Sequence, residues 1–232
     1  MTRRSRRSVP ILALSVAILV AAGCMSSTPA LTKVGSPPYL AGSGVSASVT
    51  RPLEPFGAIE ATSAVRVELV AGERDEAVVT TDDNLLSAVV TEVRDDTLVV
   101  TIEGSIETRL LPVIVVTAAR PIESLTLQAS AQLTVEDLEL DRLSASLSSA
   151  ARLEASGRVR DLDLIVLAAS TAELRALAVE TADVAISSAS QAFVRASLSV
   201  EGACQASSKL HLVGQPASRS VQTDGSSEVV VE

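Results

Sequence analysis

The sequence predicts an all-β fold, a parallel β-solenoid with coils of about 19 residues, preceded by an export signal and a flexible tether. Three observations carry this. Short runs of apolar alternation, broken by Gly, Asp-Asp or Ser clusters, begin at Arg51 and continue to the end. From Ser124 onward a small residue followed three positions later by a larger apolar one recurs at near-constant spacing. The chain is 47% hydrophobic but only 1% aromatic, with no Trp, one Tyr and two Phe. Its core must therefore be built from Val, Leu and Ala, as the narrow interior of a solenoid requires.

Residues 1–23 carry a positive head, Arg3, Arg4, Arg6 and Arg7, and an apolar stretch from Ile11 to Val20. That stretch falls well short of the roughly 20 residues needed to span a bilayer. It has the form of a secretory signal peptide. The ending Val20-Ala21-Ala22-Gly23-Cys24 resembles the lipobox of bacterial lipoproteins. The resemblance implies cleavage before Cys24, a diacylglycerol on its thiol, acylation such as palmitate on its amino group, and attachment to a membrane through Cys24. Met25 after that cysteine brings no Asp-type retention signal, so the outer membrane is expected if the source has one. The protein would then sit in the cell envelope, outside the cytoplasm.

Residues 24–50 are rich in Ser, Gly, Pro and Thr and read as a linker. Residues 51–232 form the expected domain, first strands over 51–118 and regular coils over 119–232. In the first part Val65, Val67 and Leu69 alternate with polar residues. Further strands are expected at Ala77–Thr80, Leu85–Val93, Thr97–Ile102 and Val113–Thr117. Ala71–Asp75, Asp82-Asp83-Asn84, Asp95-Asp96 and Glu103-Gly104 supply turns.

In the second part the repeated pairs are Ser130/Leu133, Ala150/Leu153, Thr171/Leu174, Ser190/Phe193, Ser207/Leu210 and Ser226/Val229. The period is too short for a helical repeat or a propeller blade and suits one solenoid coil. Ala and Ser clusters fit the corners. A helix through Ala168–Ala182 competes on local propensity, but its place in the repeat argues for strand.

With these features, the segment FGAIEATSAVRVELVAGERDEAVVTTDDNLLSAVVTEVRDDTLVVTI (residues 56–102) and the repeats after it resemble the auto-transporter adhesin head GIN domain family. The resemblance covers about 51–232, and its most specific stretch is Asp82-Asp83-Asn84-Leu85-Leu86. It implies an exported bacterial domain, often a lipoprotein, folded as a right-handed β-solenoid, and it brings no catalytic residues. The family usually carries Gly-Ser-Gly at its corners; here only Gly225-Ser226-Ser227 comes close. Left-handed corners made of Ala would cost about 1 kcal/mol each. The expectation is therefore either corners that are not left-handed or an irregular solenoid.

Charge and composition exclude several functions. The net charge is −9, and removing 1–23 with its four arginines leaves −13. Such a chain lacks the basic stripe of a nucleic-acid binder and the aromatics that stack bases. His211 is the single histidine, lies between Leu210 and Leu212, and reads as an outward strand residue. No Gly-x-Ser-x-Gly elbow is present. Cys204 reads as a small buried residue, without a disulfide partner once Cys24 is acylated. No catalytic residue, cofactor or Cys/His metal spacing is expected.

Glu139 and Asp141, and Asp161 and Asp163, each flank one leucine and share a strand face. Stacked in register, these four would form an acidic ladder able to hold Ca²⁺. The alternative is a solvated face balanced by Arg142, Arg158 and Arg160.

The expected function is a lipid-anchored, non-catalytic surface module for adhesion, binding or envelope scaffolding, with a protein or glycan ligand. A Ca²⁺-dependent polysaccharide-binding or polysaccharide-lyase-like protein is the alternative. The closing run Ser227–Glu232 is expected to present an edge that pairs with a second copy or a partner strand. The rivals are residues 51–118 folding back over it, or protection by Glu228 and Glu232 alone.

Overall fold

The computed structural model describes residues 39–232; the expected signal peptide, Cys24 and the linker up to residue 38 lie outside the described residues. The strands are β1 (Tyr39–Ala41), β2 (Ser46–Pro52), β3 (Ala58–Ala61), β4 (Arg66–Ala71), β5 (Glu76–Asp82), β6 (Val89–Arg94), β7 (Thr97–Ile102), β8 (Ser105–Glu107) and β9 (Val113–Ala118). They continue with β10 (Ser124–Leu127), β11 (Gln132–Leu147), β12 (Arg152–Val166), β13 (Thr171–Ile186), β14 (Gln191–Cys204), β15 (Lys209–Leu212), β16 (Ser218–Thr223) and β17 (Glu228–Val231). Residues 168–182 are strand from Thr171 on, not helix.

β11 to β14 are long because each bends and continues. A strand leaves a corner, runs along one face of the coil (face 1), bends, and returns along a second face (face 2). Consecutive coils pair in parallel, so like positions stack in columns. On face 1 the inward column is Ile114, Val67, Leu133, Leu153, Ala172, Ala192, Leu210, Val229. On face 2 it is Leu98, Ile59, Leu125, Ala145, Leu164, Val184, Gly202, Val221. Each fully buried Leu or Val in such a column contributes about 1.5–3 kcal/mol. The columns leave room for branched aliphatics and methyl groups between facing sheets, which is why rings are scarce.

Two of the expected repeat pairs are out of register. The residue equivalent to Leu133 and Leu153 is Ala172, not Leu174, and in the next coil it is Ala192, not Phe193. Phe193 points outward. A small residue inside a column mimics a corner residue in sequence, and the pattern slips by one or two.

The corners decide the question that their composition raises. Ala129-Ser130, Ser149-Ala150, Ala168-Ala169, Ser188-Ala189 and Ala206-Ser207 all have both φ between 52° and 68°. They are left-handed, yet the coils are regular. The offset is a hydrogen-bond file. The N–H of Ser130 donates to the carbonyl of Ser149 (2.9 Å), Ala150 to Ala168 (2.9 Å), Ala169 to Ser188 (2.9 Å) and Ala189 to Ala206 (2.9 Å). The Gly225-Ser226 corner, the one that carries glycine, is not left-handed. There the Asp224 carboxylate does the work, accepting from Ala206 N (2.7 Å) and Ser226 N (3.1 Å). Just after each corner sits a buried small residue: Ala131, Ala151, Ser170, Ser190 and Ser208.

Glycine is required at two positions in different columns, Gly157 at the bend beside Leu138 and Gly202 on face 2 beside Val184. A Cβ on Gly157 (φ +117°) would meet the Leu138 carbonyl oxygen at 2.2 Å, and one on Gly202 (φ +126°) the Val184 oxygen at 1.9 Å.

The first coils are assembled differently. On face 1 the strand order runs β2, β5, β9, β4, β11, with β2–β5 and β5–β9 antiparallel. On face 2 it runs β6, β7, β3, β10, β11, with β6–β7 antiparallel. So β9 slips between the consecutive strands β4 and β5, and β3 lies between β7 and β10. The antiparallel pair β2/β5 and the hairpin β6/β7 close this end. Arg51 ties them together, donating to the carbonyls of Val89 (2.6 Å) and Leu86 (2.7 Å).

Three expectations change here. Residues 39–50 are not all linker, since β1 and most of β2 lie there: Val49 and its neighbours complete the sheet against β5. Leu85 does not start a strand; it is buried in a 3-10 turn, Asp83–Leu85, and the strand begins at Val89. Residues 51–118 do not cover β17; they close the opposite end, and the outer edge of β17 is unpaired among the described residues.

Candidate binding face

Face 2 carries outward columns that stay in register from coil to coil. Its outward column runs Ser124, Ser144, Asp163, Asp183, Glu201, Ser220. The neighbouring column is Thr126, Ser146, Ile165, Ala185, Ala203, Gln222. Parallel rungs lie about 4.8 Å apart, so Asp163, Asp183 and Glu201 form a file of carboxylates on a field of small side chains. None of the three makes an ion pair among the described residues. Beside them Asp161 accepts from the Thr181 hydroxyl (2.6 Å) and pairs with Arg160 (3.2 Å). The Thr181 hydroxyl first, and Arg160 second, hold its carboxyl below the usual range.

The expected four-carboxylate ladder does not assemble. Glu139 stacks against Arg158, and Asp141 pairs with Arg160 at 3.2 Å. The shift arises because the coil advances 19 or 20 residues, which sets Glu139 and Asp141 beside the arginines that precede Asp161. Asp161 and Asp163 instead line a shallow hollow on face 2 with Arg142, Thr181 and Asp183. Among the described residues no three His, Cys, Asp or Glu side chains converge with the geometry to hold a metal ion.

Face 1 is charge-balanced. Arg152 lies 3.9 Å from Glu173, Arg175 lies 2.9 Å from Glu173, and Lys209 lies 3.2 Å from Glu228. Its outward column includes Glu173, Phe193, His211 and Val230. His211 stacks on Phe193 with centroids 4.3 Å apart, and its Nδ1 contacts Glu232 at 2.8 Å. The Arg175 guanidinium covers the other side of the Phe193 ring, 3.7 Å from its centre. This stack keeps an outward phenylalanine 92% shielded. Among the described residues the partners of His211 are this ring and Glu232.

Cys204 replaces Leu147, Val166 and Ile186 in an inward column. It is buried, its Sγ approaches the Glu228 carbonyl at 3.8 Å, and burial pushes the thiol above its ordinary pKa. An apolar hollow of about 260 Å³ lies at the bend of face 1, lined by Leu69, Val70, Ala118, Ile122, Leu138 and Leu140. Among the described residues no helix is long and apolar enough to cross a membrane.

The family model described as "Putative auto-transporter adhesin, head GIN domain" matches residues 55–216. Among solved structures, a putative adhesin from Bacteroides fragilis is 15% identical, with 83% of this chain and 100% of that chain aligned at a TM-score of 0.66. A putative adhesin from Parabacteroides merdae is 13% identical, with 84% and 99% aligned at a TM-score of 0.54. A putative lipid binding protein from Parabacteroides distasonis is 18% identical, with 84% and 100% aligned at a TM-score of 0.50. These likenesses establish the shared fold. No curated protein matches the sequence.

Proposed function

The chain belongs to the auto-transporter adhesin head GIN domain family, and on that premise we propose that it is a lipid-anchored, extracytoplasmic binding module that acts without catalysis. Its role is adhesion or envelope scaffolding. The observation that carries this reading is the unpaired file Asp163, Asp183 and Glu201 along face 2. Three carboxylates at rung spacing favour a partner that presents several cationic or hydroxyl groups in a line. The anchor rests on the Val20–Cys24 motif.

Two experiments test the two parts. Growing cells are fed a clickable fatty acid: wild type takes up label and Cys24→Ser does not, and equal labelling removes the anchor. The mature chain is then screened against glycans and envelope components, with and without Ca²⁺. Binding weakens with salt and is lost in the triple variant Asp163→Asn, Asp183→Asn, Glu201→Gln. Binding that survives the triple variant places the ligand elsewhere.

A second reading, a Ca²⁺-dependent polysaccharide binder, has against it that no three carboxylates converge among the described residues; its test is the hollow lined by Asp161, Asp163 and Asp183. In that case millimolar Ca²⁺ raises the melting temperature by mass action, and Asp161→Asn with Asp163→Asn removes the rise. The proposal also includes pairing of the β17 edge with a second copy. Val230→Pro removes a backbone donor there, so a dimer seen by sedimentation should dissociate in that variant.

A further inference from the structure

The closed end of the solenoid carries an apolar platform on a polar frame. β1 pairs in parallel with β8, and Gly42 N donates to the Glu107 carbonyl (2.8 Å). Asp82, 1% exposed, accepts from Gly44 N (2.7 Å) and from the Thr108 hydroxyl. The Asn84 side chain accepts from Ser43 N (2.9 Å) and donates to the Ala41 carbonyl (2.8 Å). Leu110 N donates to the Thr108 hydroxyl oxygen (2.9 Å). Residues 39–45, 82–84 and 105–110 are thereby tied around one buried carboxylate.

On this frame stand Tyr39, Leu40, Val45, Leu110 and Leu111, each 38–59% exposed. They are five of the ten large apolar side chains that the described residues expose, and the other five are scattered over the rest of the fold. A rigid frame that turns half of these side chains outward at one end marks a contact surface.

Its occupant follows from where the chain enters. The platform begins at Tyr39, and Cys24 lies 15 residues upstream. Whatever its path, a segment of 15 residues reaches no further than about 50 Å. With Cys24 acylated, the platform stays beside the bilayer at high effective concentration. Its chemistry suits that place: aliphatic side chains with one tyrosine, whose ring is apolar and whose hydroxyl stays wet. Arg109 is the single basic residue of the three tied segments, against Asp82, Asp83 and Glu107, so headgroup charge is not the main attraction.

We infer that this end is a membrane-facing foot, seated on the lipid bilayer through Tyr39, Leu40, Val45, Leu110 and Leu111. The inference rests on the acylation of Cys24. It points β17 and the late coils away from the membrane, where a partner meets them.

Tyr39 is the only tyrosine and there is no tryptophan, so intrinsic emission reports the foot without a label. The full mature protein, isolated from cells and its acylation read from intact mass, is reconstituted in phosphatidylcholine vesicles. In vesicles carrying bromine on the acyl chains near the headgroup, Tyr39 emission should fall at least about twofold, as for a ring at the interface. Shielding from aqueous acrylamide should rise in parallel. Tyr39→Phe combined with Leu198→Tyr moves the fluorophore to the side of the solenoid, and there both effects should vanish. Leu110→Asp with Leu111→Asp should reduce bromine quenching of Tyr39, with an unchanged melting curve showing that the fold is kept. Tyr39 that is open to acrylamide and untouched by bromolipid in an acylated protein overturns the foot while leaving the anchor standing. Shielding without bromine quenching also overturns it, in favour of a protein contact. A mass without acyl groups overturns the anchor, and bromine quenching then decides the foot by itself.

Discussion

The two halves of the solenoid reach one cross-section by opposite routes. From residue 128 each coil touches the one before and the one after, and neighbouring columns repeat almost unchanged. Between residues 46 and 127 the rungs come from passages far apart: Val67 packs beneath Leu133, and β9 enters between β4 and β5. The late coils are specified by repetition and backbone geometry. The early part is specified by polar ties, Asp82, Asn84, Arg51 and Thr108, that no repeat would generate. A nearest-neighbour array has no inherent end, so a structure that must stop needs a piece built on other rules.

Substitutions separate the two regimes, and the largest effect belongs to the coils. Gly202→Ala drives a methyl group into the Val184 carbonyl at a left-handed φ, and should cost about 4 kcal/mol in chemical denaturation. Gly225→Ala, with open space around it, should change stability by less than about 0.5 kcal/mol. Equal effects would mean that the return path is loosely stacked.

Asp82→Ala should rank next. It strands Gly44 N–H and the Thr108 hydroxyl, costing about 2–3 kcal/mol. Hydrogen exchange should show lost protection in β1, β2 and β8 while β12 to β14 keep theirs. Uniform loss across the chain would show that the early part and the coils unfold as one unit.

Asp224 adds a pH signature in the last corner. Its carboxyl is held well below the usual range, first by the Ala206 N–H and then by Ser227 and Ser226. A depressed native value means stabilisation that is complete above the unfolded value of about 3.9 and is lost as pH falls below it. Wild type should therefore lead Asp224→Asn by a constant margin at neutral pH, and the margin should shrink below about pH 4. A margin that persists in acid would assign the corner to the neutral hydrogen bonds alone.

The smallest effect has the opposite sign. Ala169→Gly relieves an exposed left-handed residue and should stabilise by about 0.5–1 kcal/mol, read as a raised melting temperature. Ala172→Gly, three positions on and fully buried in a column, should destabilise instead.

The coils were legible because strand alternation and column residues leave a trace at every turn. The small-to-large spacing found four of six corner pairs in register and slipped at Ala172 and Ala192, where a methyl group fills an inward site that elsewhere holds Leu. Phe193 was misassigned for the same reason: its burial comes from Arg175 and His211 on the outside. The corner conformation was not legible. Ala in a left-handed pair is locally unfavourable, and what offsets it is a hydrogen bond to a carbonyl about 19 residues later. Asp82-Asp83-Asn84 stood out as a turn, but its hub role depends on Gly44 and Thr108, each more than twenty positions away. The file of Asp163, Asp183 and Glu201 draws one residue from each of three coils, so the spacing of carboxylates within a strand does not reveal it. Aligning the corners first would have brought these three together.

The corner file has a consequence for how such a molecule changes length. Each of the first four left-handed pairs is fixed by the pair after it, through the same N–H to carbonyl bond. A whole coil can therefore be inserted or removed without altering any contact type, while a fraction of a coil breaks both the file and the columns. Reach thus comes in steps of about 4.8 Å, one for each duplicated segment. The solenoid is a ruler whose marks are its corners, and tandem duplication of a single stretch of gene is enough to extend it.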